Sequence, residues 1–192
     1  GAPRMPDRFE FDGNGQAVPY LRRRHSQEAY VGVMRSRRVL MVCLGNICRS
    51  PVAQGCMESE ILERFGPDHG WFVDSAGTSA QHQGEHPDLR SQASARRHGL
   101  DIASQCSRPI ERDDFERFDH ILVMDRSNLK NVLALSPDPK VSLMLEASFP
   151  GEQREVPDPY FGGEQGFELV VQLLQQACRD WMEQWLREER SI

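Results

Sequence analysis

A chain of 192 residues with 39% apolar residues suits one domain with a real core, and its formal net charge of −6 disfavours nucleic-acid binding. No apolar run approaches the length of a membrane span or forms the apolar centre of a signal peptide. Five cysteines, at positions 43, 48, 56, 106 and 178, are odd in number and form no paired Cys-x2-Cys unit, which supports neither a disulfide framework nor a zinc site and points to a reducing, cytoplasmic compartment.

Residues 1–36 lack a convincing period and are read as an N-terminal extension, with Gly1 to Arg4 a cloning remnant before Met5. Phe9 to Gly15 carries turn chemistry and suits either a short hairpin or disorder. Arg22, Arg23, Arg24, Arg35, Arg37 and Arg38 make the region basic, and Tyr20 and Tyr30 lie within it. A flexible, solvated tail is the plainer expectation, and docking over a functional site is the alternative.

Residues 37–189 are read as one domain that opens on a five-residue apolar run, Val39 to Cys43, a strand buried on both faces. Gly45 and Asn46 permit a tight turn, and Ser50-Pro51 reads as a helix start with proline at the first helical position. Val52, Ala53, Cys56, Met57, Ile61, Leu62 and Phe65 then recur at helical spacing, and Gly66-Pro67 ends that helix. Trp71 to Asp74 is a second strand, running into Ser75-Ala76-Gly77-Thr78. A loop leads to Pro87, and a helix from about Asp88 to His98 is closed by Gly99. Asp119 to Met124 is a third strand, Asp125 caps the next helix, and Val141 to Leu145 is a fourth strand. A long helix from about Gly163 to Glu189 places Phe167, Val170, Val171, Leu174, Ala177, Cys178, Trp181 and Trp185 on one stripe, with the tryptophans as core anchors. Strands alternating with helices imply an α/β fold, an open parallel sheet with helices on both faces, and ligands bound beyond the strands' carboxyl ends.

A strand, a tight loop and a helix N-terminus form a concave nest of backbone N–H groups that attracts anions. Cys43 stands at the strand exit, where the positive field favours thiolate, and Arg49 at the far rim offers a planar fork to an oxyanion. Cys-x5-Arg alone is a weak signal. The strand before it, the turn inside it and the helix start after it make it a covalent phosphoryl-transfer site with nucleophile, cradle and clamp. A Walker loop is excluded because neither Lys130 nor Lys140 is near. The departing oxygen needs an acid. Asp158, between Pro157 and Pro159, sits on a stiff segment, although composition alone favours a plain proline-rich turn, and Asp125 at a strand end is a rival.

Cys43-Leu44-Gly45-Asn46-Ile47-Cys48-Arg49-Ser50-Pro51 resembles the signature loop of the low-molecular-weight protein tyrosine phosphatases, and the resemblance extends over about residues 38–186. It implies a four-stranded, flavodoxin-like sheet and hydrolysis of phosphotyrosine through a cysteinyl-phosphate, with no metal and no cofactor. It also makes Asp158-Pro159-Tyr160 the general-acid motif, and Leu44, Gly45, Asn46, Ile47, Cys48 and Ser50 the phosphate-binding loop. By the same resemblance Ser75 and His98 support the loop; Cys48, close to Cys43, is either a disulfide partner that protects Cys43 from over-oxidation or a plain core cysteine. Tyr160 and Phe161 form one substrate wall, facing Gln81 and His82 where an aromatic residue commonly sits. Ile47 is apolar where the related arginine phosphatases carry threonine, which favours an aromatic phosphoester over phosphoarginine. Arsenate reduction needs two further cysteines in a mobile segment, and only Cys106 lies in mid-chain. Retention of Cys43, Arg49 and Asp158 argues against a merely phosphotyrosine-binding relative. The implied partner is a phosphotyrosine protein, with a tyrosine kinase as one candidate.

Overall fold

The computed structural model describes residues 35–191, together with the backbone of 9–11 and 17–19. The chain divides into two units, residues 1–33 and 34–192. In the first unit β1 (Phe9–Phe11) pairs antiparallel with β2 (Ala17–Pro19), in the register Phe9 to Pro19. Arg22, Arg23, Arg24, Tyr20 and Tyr30, and with them the docking expectation, lie outside the described residues.

The second unit carries β3 (Arg38–Cys43), α1 (Arg49–Phe65), β4 (Phe72–Gly77), α2 (Leu89–Arg97), α3 (Asp114–Arg117), β5 (His120–Val123), α4 (Arg126–Leu135), β6 (Val141–Leu143) and α5 (Glu164–Arg190). The four strands β3 to β6 form one parallel sheet in the order β4-β3-β5-β6. Strand β3 lies between two neighbours because it is apolar after Arg38: Val39, Leu40, Met41 and Val42 are fully buried. Side chains alternate across the sheet, so Val39, Met41 and Cys43 join the core beneath α1 and α5. Leu40 and Val42 join a second core with Phe115 of α3 and Val132 of α4. The chain crosses to β4 on one side of β3 and to β5 on the other, so the carboxyl end of β3 is the topological switch point. Cys43 occupies it.

At the opposite end of the strands, Trp185 of α5 is fully buried and stacks against His120 of β5 at 4.6 Å between ring centroids. Trp71 and Trp181 lie 5.8 and 5.5 Å from the same ring, so the tryptophans are core anchors as the helical stripe predicts. Phe167 departs from that stripe. It packs against Ile47 and Cys48, because the first turn of α5 reaches past the sheet to the loop after β3.

The differences from expectation include two boundaries and one missed helix. Helix α1 begins at Arg49 rather than Ser50, which makes Pro51 its third residue, still within the turn whose amides have no intrahelical acceptor. Helix α3, of four residues, is too short to show a period and went unpredicted. Strand β6 ends at Leu143, although Met144 N still donates to Val123 O at 2.7 Å.

Candidate active site

The loop 44–48 turns back on itself at Asn46, whose φ of 54° is the left-handed conformation that asparagine tolerates well. Its carbonyls are bonded from outside. Thr78 N donates to Cys43 O at 2.9 Å, Ser79 N to Leu44 O at 2.9 Å, Asp88 N to Ile47 O at 2.8 Å, and Ser107 Oγ to Gly45 O at 3.0 Å. In a planar trans peptide the N–H points away from the carbonyl, so the amides of the following residues turn inward and line a concave anion nest. The loop rests on Gly77, where a Cβ would lie 2.7 Å from Leu44 O and 3.2 Å from Asn46 N. Only glycine permits this approach.

Cys43 Sγ lies at the base of the nest, 2% exposed, 3.0 Å from Ser50 Oγ. Ser50 Oγ accepts from Asn46 Nδ2 at 2.8 Å, so its single hydrogen is shared between the sulfur at 3.0 Å and the more distant Ala76 O at 3.5 Å. The same Asn46 amide donates to Ser75 Oγ at 3.0 Å, and Asn46 Oδ1 accepts from Arg108 N at 3.0 Å, which fixes the orientation of the amide. Ser75 Oγ in turn donates to Gln54 Oε1 at 2.8 Å. Every polar member of this buried cluster is satisfied, the condition under which a network rigidifies rather than destabilises.

Arg49 is 2% exposed. Its Nη1 donates to Asp125 Oδ2 at 2.7 Å and to Val156 O at 3.0 Å. Nη2 stands 3.5 Å from Asp158 Oδ2, a loose contact. Asp125 Oδ1 accepts from Asn128 N at 2.7 Å, so one carboxylate both caps α4 and orients the guanidinium. Asp158 lies beyond Val156, which is pinned to the sheet by its amide on Met124 O at 2.8 Å. Of the two rival acids, the Asp125 side chain is 19% exposed and tightly bound to Arg49, whereas the Asp158 side chain is 45% exposed and lines the cavity.

That cavity, of about 210 Å³, is lined at its base by Cys43, Gly45 and Arg49 and at its mouth by Gln81, His82, Tyr160 and Phe161. The Tyr160 and Phe161 rings meet edge to face at 4.9 Å, and Phe161 is almost wholly exposed. The facing wall is polar, with His82 Nδ1 held by Glu85 at 2.8 Å. Ile47 is buried against Phe167 and also lines the cavity. Cys48 is buried in the same cluster, and burial, reinforced by Asp88, pushes its thiol up to about 12.

One expected site residue falls elsewhere. His98 does not support the loop; it ends α2, which packs on α5, and its imidazole binds Glu168. The supports missing from the sequence reading are Gln54, Arg108 and Asp125. Arg108 is itself held by the fully buried Asp114, six residues on, and by Asp74, 34 residues back in the chain, a contact that leaves no local signature.

The family model described as low molecular weight phosphotyrosine protein phosphatase matches residues 38–191. The human low molecular weight phosphotyrosine protein phosphatase is 39% identical over 152 residues, 77% of this chain and 95% of its own length. A protein tyrosine phosphatase from Entamoeba histolytica, solved with Hepes in its active site, superposes with a TM-score of 0.72 at 35% identity, covering 81% of this chain and 99% of that one. A Drosophila arginine phosphatase superposes with a TM-score of 0.69 at 33% identity, covering 77% and 96%. With its flavodoxin-like parallel sheet and a loop of this sequence at the switch point, the chain belongs to the low molecular weight phosphotyrosine protein phosphatase family.

Proposed function

We propose that residues 37–189 form the catalytic domain of a cysteine-dependent phosphatase in which Cys43 is the nucleophile, Arg49 the clamp and Asp158 the general acid and base. The observation that carries this is Cys43 Sγ, 3.0 Å from the Ser50 hydroxyl, at the base of an inward-facing amide nest with a buried arginine at its rim. The thiolate attacks phosphorus, and the P–O bond to the phenol breaks as Asp158 gives its proton to the leaving oxygen. The amides of 44–49 and Arg49 hold the equatorial oxygens as their charge grows. Water then attacks the cysteinyl-phosphate, ionised Asp158 accepts its proton, the P–S bond breaks, and phosphate leaves with the thiolate restored. The Ser50 hydroxyl steadies that thiolate at both ends of the cycle.

Phosphotyrosine is the preferred ester because Ile47 and the Tyr160–Phe161 edge present apolar surface to an aromatic ring. Similarity to an arginine phosphatase makes phosphoarginine the competing substrate. A phosphotyrosine protein, a tyrosine kinase among the candidates, is the proposed partner. Free cysteines at 43, 48, 56, 106 and 178 support a cytoplasmic setting. Among the described residues no helix is long and apolar enough to cross a membrane. The deciding assay is phosphate release from free phosphotyrosine, phosphoserine and phosphoarginine with a chelator present. Release from phosphotyrosine that is lost in Cys43→Ser, with phosphate binding retained, supports the reading. Release chiefly from phosphoarginine, or a Cys43→Ser variant keeping most of its rate, overturns it.

A further inference from the structure

We infer that Arg90 is a positioning residue that braces the segment bearing Asp158 against the phosphate loop. The inference rests on Asp158 being the general acid. Residues 157–163 run over the surface between Val156 and α5, and two glycines, Gly162 and Gly163, precede the helix. Outside α5 and the segment itself, one hydrogen bond among the described residues ties this backbone to the rest of the fold: Arg90 Nη1 to Tyr160 O at 3.0 Å. Tyr160 N donates in turn to Asp158 Oδ1 at 3.1 Å, so the carbonyl that Arg90 grips belongs to the residue that orients the acid.

Arg90 is itself held from the other side. Its Nε and Nη2 bind Asp88 Oδ1 and Oδ2 at 3.0 and 2.9 Å, a bidentate fork. The backbone N–H of Asp88 donates to Ile47 O in the phosphate loop at 2.8 Å. The guanidinium lies 4.6 Å over the ring of Phe167, which packs on Ile47 and Cys48. A continuous set of contacts therefore runs from the phosphate loop through Asp88, Arg90 and Tyr160 to Asp158. All three guanidinium nitrogens are engaged, and the planar fork sets one spacing between loop and acid that a flexible ammonium cannot reproduce. A proton donor must stand within hydrogen-bond reach of the leaving oxygen, so slack in this brace falls on the step that needs the proton.

The test is kcat/KM for phosphotyrosine and for p-nitrophenyl phosphate, whose leaving group needs little protonation, in wild type, Arg90→Ala, Arg90→Lys, Asp158→Ala and the Arg90→Ala/Asp158→Ala pair. Inhibition by inorganic phosphate is measured alongside. Arg90→Ala is expected to lower kcat/KM for phosphotyrosine about tenfold or more, to spare p-nitrophenyl phosphate, and to leave phosphate inhibition unchanged. In the Asp158→Ala background it should have no further effect, since the group it positions is gone. Arg90→Lys should remain impaired. Equal losses on both esters, full additivity with Asp158→Ala, weakened phosphate inhibition, or a Lys variant with wild-type rates would each overturn the brace. An Asp158→Ala variant that affects both esters alike would instead remove the acid assignment on which the inference rests.

Discussion

Acid should weaken this fold through one residue at the end of the sheet remote from the cavity. His120 stacks on Trp185 at 4.6 Å, and its Nε2 accepts from Arg37 Nη1 at 2.9 Å, a bond that only the neutral imidazole can receive. Burial first, and then the Arg37 charge with a smaller push from Lys140, lowers His120 from 6.5 to about 4, against the opposing pull of Asp119 and Glu188. The unfolded chain titrates near the ordinary value. Between the two values the unfolded state binds the extra proton, so this group leaves stability untouched above pH 6.5 and removes it as pH falls toward 4. The two values give a loss of about 2 kcal/mol at pH 5, levelling near 3 kcal/mol below pH 4 as an order of magnitude. Urea unfolding can be followed by tryptophan fluorescence, because Trp71, Trp181 and Trp185 all lie in this cluster. His120→Phe keeps a ring on Trp185 and removes the titration. Between pH 7 and 5 the wild type should lose about 2 kcal/mol more than the variant, or roughly 4–8 °C in Tm. Equal losses in the two proteins would refute the argument, since every other titrating group is common to both.

Two further perturbations address the cavity. Gly77→Ala places a methyl 2.7 Å from Leu44 O, so the loop must shift; inhibition by inorganic phosphate should weaken about tenfold and stability fall by about 1–3 kcal/mol, and an unchanged inhibition constant would show that the loop is not supported there. Asp125→Asn keeps the cap on α4 but withdraws the charge facing Arg49, so kcat/KM should fall about tenfold while the urea midpoint barely moves. Asp125→Ala should add about 1 kcal/mol of destabilisation from the lost cap, and equal midpoints for the two variants would contradict the double role.

The site was legible where its parts are consecutive. Val39 to Cys43 is a buried strand because all five residues are apolar, and Cys43, Asn46, Arg49 and Ser50 converge because a strand, a turn and a helix start place them around one loop. One expectation carried over by resemblance is not met by the geometry. His98 was expected at the loop, but it lies at the end of α2 and faces α5. The positive φ at Asn46 was expected of its residue type, whereas the need for glycine at position 77 came from a backbone approach across the sheet.

Local pattern thus determined the longer elements, the parallel sheet and the identity of the cradle, since periodicity, turn residues and loop spacing act within a few residues of one another. Tertiary structure alone decided which carboxylate orients Arg49 and which faces the cavity, what anchors Asn46, and how Arg90 reaches Tyr160. Those contacts span from 62 to 109 positions of sequence. They exist because β3 lies between β4 and β5, and the loops after these strands converge at the switch point whatever their separation in the chain.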